Sequence, residues 1–232
     1  MKRLTVFLLL ITFTFCAEGQ HVNILYNARV ETFKMQSLKD LQLEQVGLWS
    51  VRPALLEDMP VRLTGSFSFE SNLNSRWTIG VTPGYSSTGS RYYYEDYSGV
   101  QYNDFVVNRY DLTESMMYRF SPKRITPFVI LAGGVNLNEL DLDLYTRLGP
   151  DNPADTIRLS FRSVSLGTRF GAGIEKQLKF MLFRLTGLYE LTIPGQFKLK
   201  ENSDFKLLTN EGNTVDAGWE GFKIMFSAGV RF

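Results

Sequence analysis

Apolar and polar side chains alternate with a period of two over much of this chain. In the last eleven residues Phe222, Ile224, Phe226, Ala228, Val230 and Phe232 alternate with Lys223, Met225, Ser227, Gly229 and Arg231. Successive side chains of a strand point to opposite faces, so this pattern predicts a strand lying between hydrocarbon and a wet or polar interior. Val22–Phe33 repeats it, with Val22, Ile24, Tyr26, Ala28 and Val30 set against Asn23, Asn27, Arg29 and Glu31. So do Val61–Glu70, Arg76–Tyr85, Asp104–Phe120, Ile125–Asn138, the run from Ser163 to Ile174, and Leu178–Ile193.

The connections sort into two lengths. Asn72-Leu73-Asn74-Ser75, Ser121-Pro122-Lys123-Arg124 and Glu175-Lys176-Gln177 read as tight turns, whereas residues 34–60, 86–103, 139–157 and 194–216 read as long loops. Short turns at one end and long loops at the other are what an up-and-down transmembrane barrel needs, and a β-sandwich has no reason to segregate them. The expected fold is therefore all-β: an eight-stranded antiparallel up-and-down transmembrane β-barrel. Residues 38–51 admit two readings. Ser37-Leu38-Lys39-Asp40 resembles a capping box, and Leu38, Leu41, Gln45, Leu48 and Trp49 follow at helical spacing, which predicts a short amphipathic helix over the barrel mouth or along the membrane edge. An extra strand from Leu41 to Val51, joined by Phe197–Leu208, would instead give ten strands.

Two sites strain the alternation. Glu114 falls on the lipid face of its strand, which calls for a bulge or a position nearer an interface. From Asn138 to Leu144 the apolar side moves from odd to even positions, which predicts a bulge followed by a ribbon above the membrane.

The N-terminus sets the compartment. Lys2 and Arg3 precede an apolar run from Leu4 to Phe15, and small residues follow at Ala17 and Gly19, so residues 1–19 read as a signal peptide and 20–232 as the barrel domain. Cys16 would suit lipidation, but Phe13 and Phe15 stand where that motif carries smaller residues. It is also the only cysteine, so the domain is expected to have no disulfide. Loss of Lys2, Arg3 and Glu18 from 25 basic and 24 acidic residues leaves the signs balanced, and nucleic acid is not an expected partner.

The segments Arg76 to Tyr85, Ser87 to Arg91 and Tyr94 to Gly99, with the ending Gly229-Val230-Arg231-Phe232, resemble the small outer-membrane β-barrel proteins of Bacteroidota-type bacteria, loosely grouped as porin-like or PorT-like. The resemblance implies an outer-membrane location with both termini periplasmic and the long loops extracellular. It also implies that the barrel-insertion machinery recognises the terminal strand through Phe232.

An eight-stranded barrel is just wide enough for side chains to fill. The alternation sends Arg29, Glu31, Arg62, Glu70, Arg109, Asp111, Arg119, Arg169, Arg184, Glu190, Lys223 and Arg231 inward, and charges of both signs in so narrow a space should pair into a plug. Basic residues outnumber acidic ones in this set, so an anion or a loop carboxylate is expected to complete it. The alternative is a narrow porin-like channel for ions or small solutes past the same residues. Tyr92, Tyr93, Tyr94, Tyr97 and Tyr102 concentrate in one outer loop, as an aromatic girdle or as a surface for an envelope protein or extracellular ligand. Glu139, Asp141 and Asp143 share a face but lack a calcium-loop pattern, and no metal or cofactor is expected. The one histidine, His21, lies at the opposite end from the outer rim, and no enzymatic activity is expected.

Overall fold

The computed structural model describes residues 21–49, 51–121, 125–149 and 152–232. The expected signal peptide, Cys16 and most of the turn at 121–124 lie outside the described residues. Ten strands and one helix follow in order: β1 (Val22–Glu31), α1 (Gln36–Gly47), β2 (Ala54–Asp58), β3 (Arg62–Asn72), β4 (Trp77–Asp96), β5 (Gly99–Arg119), β6 (Ile125–Leu148), β7 (Asp155–Leu178), β8 (Met181–Ile193), β9 (Lys198–Leu199) and β10 (Gly221–Arg231). Eight of the strands close a ring, in the order β1, β3, β4, β5, β6, β7, β8, β10 and back to β1, with every pairing antiparallel. The fold is thus the expected eight-stranded antiparallel β-barrel. No helix among the described residues is long and apolar enough to cross a membrane.

The two short strands extend the wall without joining the ring. β2 pairs with β4 at Ser90–Tyr93, above the part of β4 that pairs with β3, and β9 pairs with β7 at Phe161 and Arg162, above the part that pairs with β8. Residues 86–103 and most of 139–157 are not loops. The β4–β5 ladder runs on to Asp96 and Gly99, and the β6–β7 ladder to Thr146 and Asp155, because the alternation continues through both stretches.

At the opposite end the turns are tight. Asn74 Oδ1 accepts hydrogen bonds from the backbone N–H groups of Arg76 and Trp77, at 2.8 and 2.9 Å, which locks the β3–β4 turn. The β7–β8 turn lies at Lys179 and Phe180, with Lys179 at φ 54°, and not at 175–177 as the polar sequence suggested. Polarity there belongs to strand positions: Glu175 faces inward and Lys176 outward. Val22 and Phe232 exchange backbone hydrogen bonds beside these turns, closing the ring where the described chain starts and ends.

The registers of β5 and β6 run unbroken, so neither expected bulge forms. Below residue 138 the outward side chains of β6 are apolar (Leu131, Val135, Leu137), whereas above it they are Glu139, Asp141 and Asp143, and Leu140 and Leu142 are buried inside. The same exchange occurs on β5, from outward Tyr110 and Leu112 to inward Phe105 and Val107, and on β7, from outward Val164 and Leu166 to inward Phe161. Apolar residues change face because the surroundings change. Below, the outer face is apolar and charge lies inside, while above, the outer face is charged and an apolar core fills the mouth.

That core is built by the two connections that are long. Met35, Leu38, Leu41 and Met59 from the first, and Phe197, Val215, Ala217 and Trp219 from the second, pack with Phe105, Val107, Leu140, Leu142 and Phe161 of the wall. Helix α1 therefore caps the mouth rather than lying along the membrane edge, and the ten-stranded alternative is excluded. Its N-cap is Met35 at φ 43°, with no side-chain hydrogen bond. Ser37 does not form the expected capping box, since its hydroxyl donates to the Asp216 carbonyl at 3.0 Å, tying the helix to the second connection.

Candidate functional site

Arginine and carboxylate side chains fill the barrel in two layers. The upper layer centres on Arg109, whose Nη2 donates to Glu31 at 2.9 Å and to Ser86 at 3.0 Å while its Nη1 lies 3.3 Å from both oxygens of Glu190. Arg169 donates to Glu190, Asp111 and Thr113 at 3.0, 3.1 and 3.0 Å. Lys223 bridges Glu31 at 2.9 Å and Glu190 at 2.6 Å, and Arg29 Nε lies 3.1 Å from Glu31. In the lower layer Arg119 donates twice to Glu175, at 2.8 and 3.1 Å, and Arg184 joins Glu175 at 2.6 Å to Glu70 at 2.7 Å. Bidentate guanidinium–carboxylate pairs of this kind satisfy several donors and acceptors at once, which burial demands.

Glycines on the inner wall make the upper layer possible. A Cβ at Gly84 would stand 2.7 Å from Asp111 Oδ1, and one at Gly167 would stand 2.9 Å from Glu190 Oε1. Both positions are occupied by a charged partner's atoms. Between the layers remains a cavity of about 40 Å³ touching Arg29, Glu70, Arg169, Arg184 and Thr186, room for a few waters at most. Leu25, Met117, Phe128 and Leu182 share the rest of the inner wall with small polar side chains such as Asn27, Ser66, Ser68 and Thr186.

Of the residues expected in the lumen, Arg29, Glu31, Glu70, Arg109, Asp111, Arg119, Arg169, Arg184, Glu190 and Lys223 are buried there. Arg231 is half-buried at the short-turn end, where it donates to Asn23 and Gln177. Arg62 has the inward parity but stands exposed at the rim and pairs with Glu57 of β2. Its departure and the arrival of Glu175 change the charge balance. Among the described residues six cations (Arg29, Arg109, Arg119, Arg169, Arg184, Lys223) are buried against five carboxylates (Glu31, Glu70, Asp111, Glu175, Glu190), so no large excess calls for an anion. Glu175 was legible, because the odd-numbered inward positions of its strand continue straight to it.

Above the upper layer sits Trp219, fully buried. Its ring lies 4.3 Å from the Arg109 guanidinium, its Nε1 donates to Asn138 Oδ1 at 2.8 Å, and Phe33 meets it edge-on at 4.8 Å. The indole therefore joins the ionic layer below to the apolar cap above. The alternation of Val215, Ala217 and Trp219 is the signal that would have found it.

The loop tyrosines do not form one patch. Tyr93 and Tyr102 are paired across the β4–β5 ladder on the outer face, Tyr102 stacks on Tyr145 at 4.7 Å, Tyr92 and Tyr94 have the inward parity, and Tyr97 is the exposed turn tip. Tyr102 stands six residues beyond Asn108, where the faces exchange, or about 20 Å along the strand, too high for an aromatic girdle. Rings that suit a girdle are the Trp77–Tyr118 pair at one level and Tyr85–Tyr110 at another. Glu114 lies midway between them on β5, faces outward, and has no hydrogen bond or ion pair among the described residues.

Glu139, Asp141 and Asp143 meet Arg162, Ser160 and Arg158 directly across the β6–β7 ladder, and no group of three or more metal-ligating side chains occurs among the described residues. His21 lies at the short-turn end, against the Phe232 carbonyl.

These features define the class: an eight-stranded antiparallel β-barrel with an apolar outer belt, an ion-paired interior and a capped mouth. No family model matches the sequence, and no curated protein matches it. Solved structures similar to it are the outer membrane protein OprG from Pseudomonas aeruginosa (13% identity, TM-score 0.44, covering 92% of this chain and 96% of that one) and Ail, the attachment invasion locus protein of Yersinia pestis (11%, 0.41, 92% and 99%). Neisserial surface protein A is similar at 14% identity and a TM-score of 0.35, over 92% of this chain and 96% of that one.

Proposed function

We propose that the chain is a non-enzymatic, non-conducting β-barrel of the bacterial outer membrane that contacts another envelope component or an extracellular ligand through its capped end. The observation that carries this reading is the filled lumen: two ion-paired layers block the barrel, and Trp219 with the α1 core closes the mouth above them. The outer belt of Ile24, Phe67, Leu112, Leu131, Leu166, Phe170, Leu185 and Phe226 supports a membrane setting, since an apolar band this continuous is out of place in water. The balance of long hairpins and tight turns supports placing the cap outside the cell and both chain ends in the periplasm, with residues 1–19 removed on export.

Two measurements test the reading. Purified barrel in a planar bilayer should give no single-channel steps, and steps from the unaltered protein would replace this reading with that of a narrow channel. Crosslinked pull-down from mildly solubilised outer membranes should recover a stoichiometric partner bound at the capped end. Recovery of the barrel alone would move the search to soluble extracellular ligands.

A further inference from the structure

A row of like charges stands on the outer wall just above the apolar belt. The β7–β8 ladder ends at the Leu166–Ile193 pair, Gly195 still lies against the Val164 backbone, and after a one-residue shift the chain continues along β7 as β9, which sets Lys198 directly opposite Arg162. An isolated bridge then sets Lys206 directly opposite Lys198. Three neighbouring segments thus present Arg162, Lys198 and Lys206 in register, and Lys200 follows two residues on, toward the same side. Like charges directly across a ladder are destabilising, so a fold gains nothing from such a row unless something anionic lies upon it. The protein supplies little of that. Glu139 bonds Arg162 at 2.6 Å and lies 3.8 Å from Lys200 Nζ, while Lys198 and Lys206 have no side-chain hydrogen bond or ion pair among the described residues. On the other edge of β7 the matching row is complementary, with Asp143 facing Arg158, so the clash is confined to the side where β9 joins.

The cations border a built recess. A hollow of about 440 Å³ lies at the irregular join between β8 and β9, with Arg162, Lys198 and Lys200 around it and Val164 in its wall. That is within the usual range for a small-molecule site. Directly below, Val164, Leu166 and Ile193 are exposed and begin the apolar belt. A ligand matching this surface carries negative charge at its upper end and hydrocarbon at its lower end.

We propose that Arg162, Lys198, Lys200 and Lys206 hold the phosphate of an outer-leaflet lipid headgroup, whose acyl chains lie along Val164, Leu166 and Ile193. Free phosphate would use the cations alone, and the apolar wall directly beneath them selects the lipid. The assignment rests on the membrane setting proposed above, and the test separates the two.

The barrel is inserted into phosphatidylcholine nanodiscs with and without a small fraction of diphosphorylated lipid A, and bound lipids are counted by native mass spectrometry. The unaltered protein should retain one lipid A through washing. The double variant Lys198→Gln/Lys206→Gln should lose at least about tenfold in retention, since it removes two of the cations facing the anionic headgroup. Arg158→Gln, which removes a cation from the complementary row, should retain lipid A as the unaltered protein does. Equal retention by the double variant, equal retention of dephosphorylated lipid A, or full displacement by inorganic phosphate would overturn the assignment while leaving the membrane barrel intact. Failure to insert into phosphatidylcholine alone would overturn the membrane setting and the lipid site with it.

Discussion

Glu175 shows how much one side chain decides in this barrel. It accepts from both Arg119 and Arg184, and its removal would leave two buried guanidinium groups short of a partner. Breaking a buried pair in this way costs about 3–5 kcal/mol, so Glu175→Gln should lower stability by that order in urea titrations of the barrel in lipid vesicles. Glu114 predicts the opposite sign. It is an outward carboxylate without a partner among the described residues, midway between two aromatic levels, and a charge on the lipid face is a net cost. Glu114→Leu should therefore stabilise the barrel by about 1–2 kcal/mol in the same titration. A loss of stability would mean that the carboxyl is held by something outside this chain.

The elements that depart most from ordinary barrel loops are α1 and the stretch from Phe197 to Trp219. They cap the mouth through an apolar core separate from the ladder hydrogen bonds of the ring, so the cap should open without the barrel opening. Trp219→Ala removes a fully buried indole, a truncation of a kind that costs about 3–5 kcal/mol. The expected result is faster hydrogen exchange in α1 and 197–219, with exchange in the ring strands unchanged. The cap should also respond to pH through Asp216. Burial raises this carboxyl above its ordinary value and nearby Glu220 adds to the rise, while the Ser37 hydroxyl works against both. An acid with a raised folded value binds its proton more tightly in the closed cap than in the open one. Its stabilising contribution is therefore present below the ordinary carboxylate range and is lost as pH rises through the raised value. Cap opening by hydrogen exchange, corrected for intrinsic rates, should thus be more frequent at neutral pH than at mildly acidic pH, and Asp216→Asn should flatten that difference.

For the molecule as a whole, the ring and the lumen were readable in different degrees. Alternation placed all eight ring strands and sent Arg29, Arg109, Arg169, Arg184 and Lys223 to the correct face, because an apolar outer surface and a charged interior imprint a period of two on every strand. It failed at Arg62, which has the right parity but stands at the rim, since parity carries no information about height. It failed again at Leu140 and Leu142. There the backbone register is unbroken, and the apolar residues change face because the cap, not lipid, is their neighbour. A bulge and a change of surroundings leave the same trace in a sequence.

What the sequence alone determined is the local rule: strand after strand with one apolar and one polar face, and tight turns at one end. Period and parity are properties of each segment by itself, so no knowledge of the rest of the chain was needed. Only the tertiary structure decided which carboxylate each guanidinium meets, as Glu70 does Arg184 across 114 positions of sequence. It alone turned the first and last connections into a cap, and it alone set Arg162, Lys198 and Lys206 side by side. Each of these depends on where ring closure brings distant segments together, and a repeat of two residues is identical on every strand of the ring.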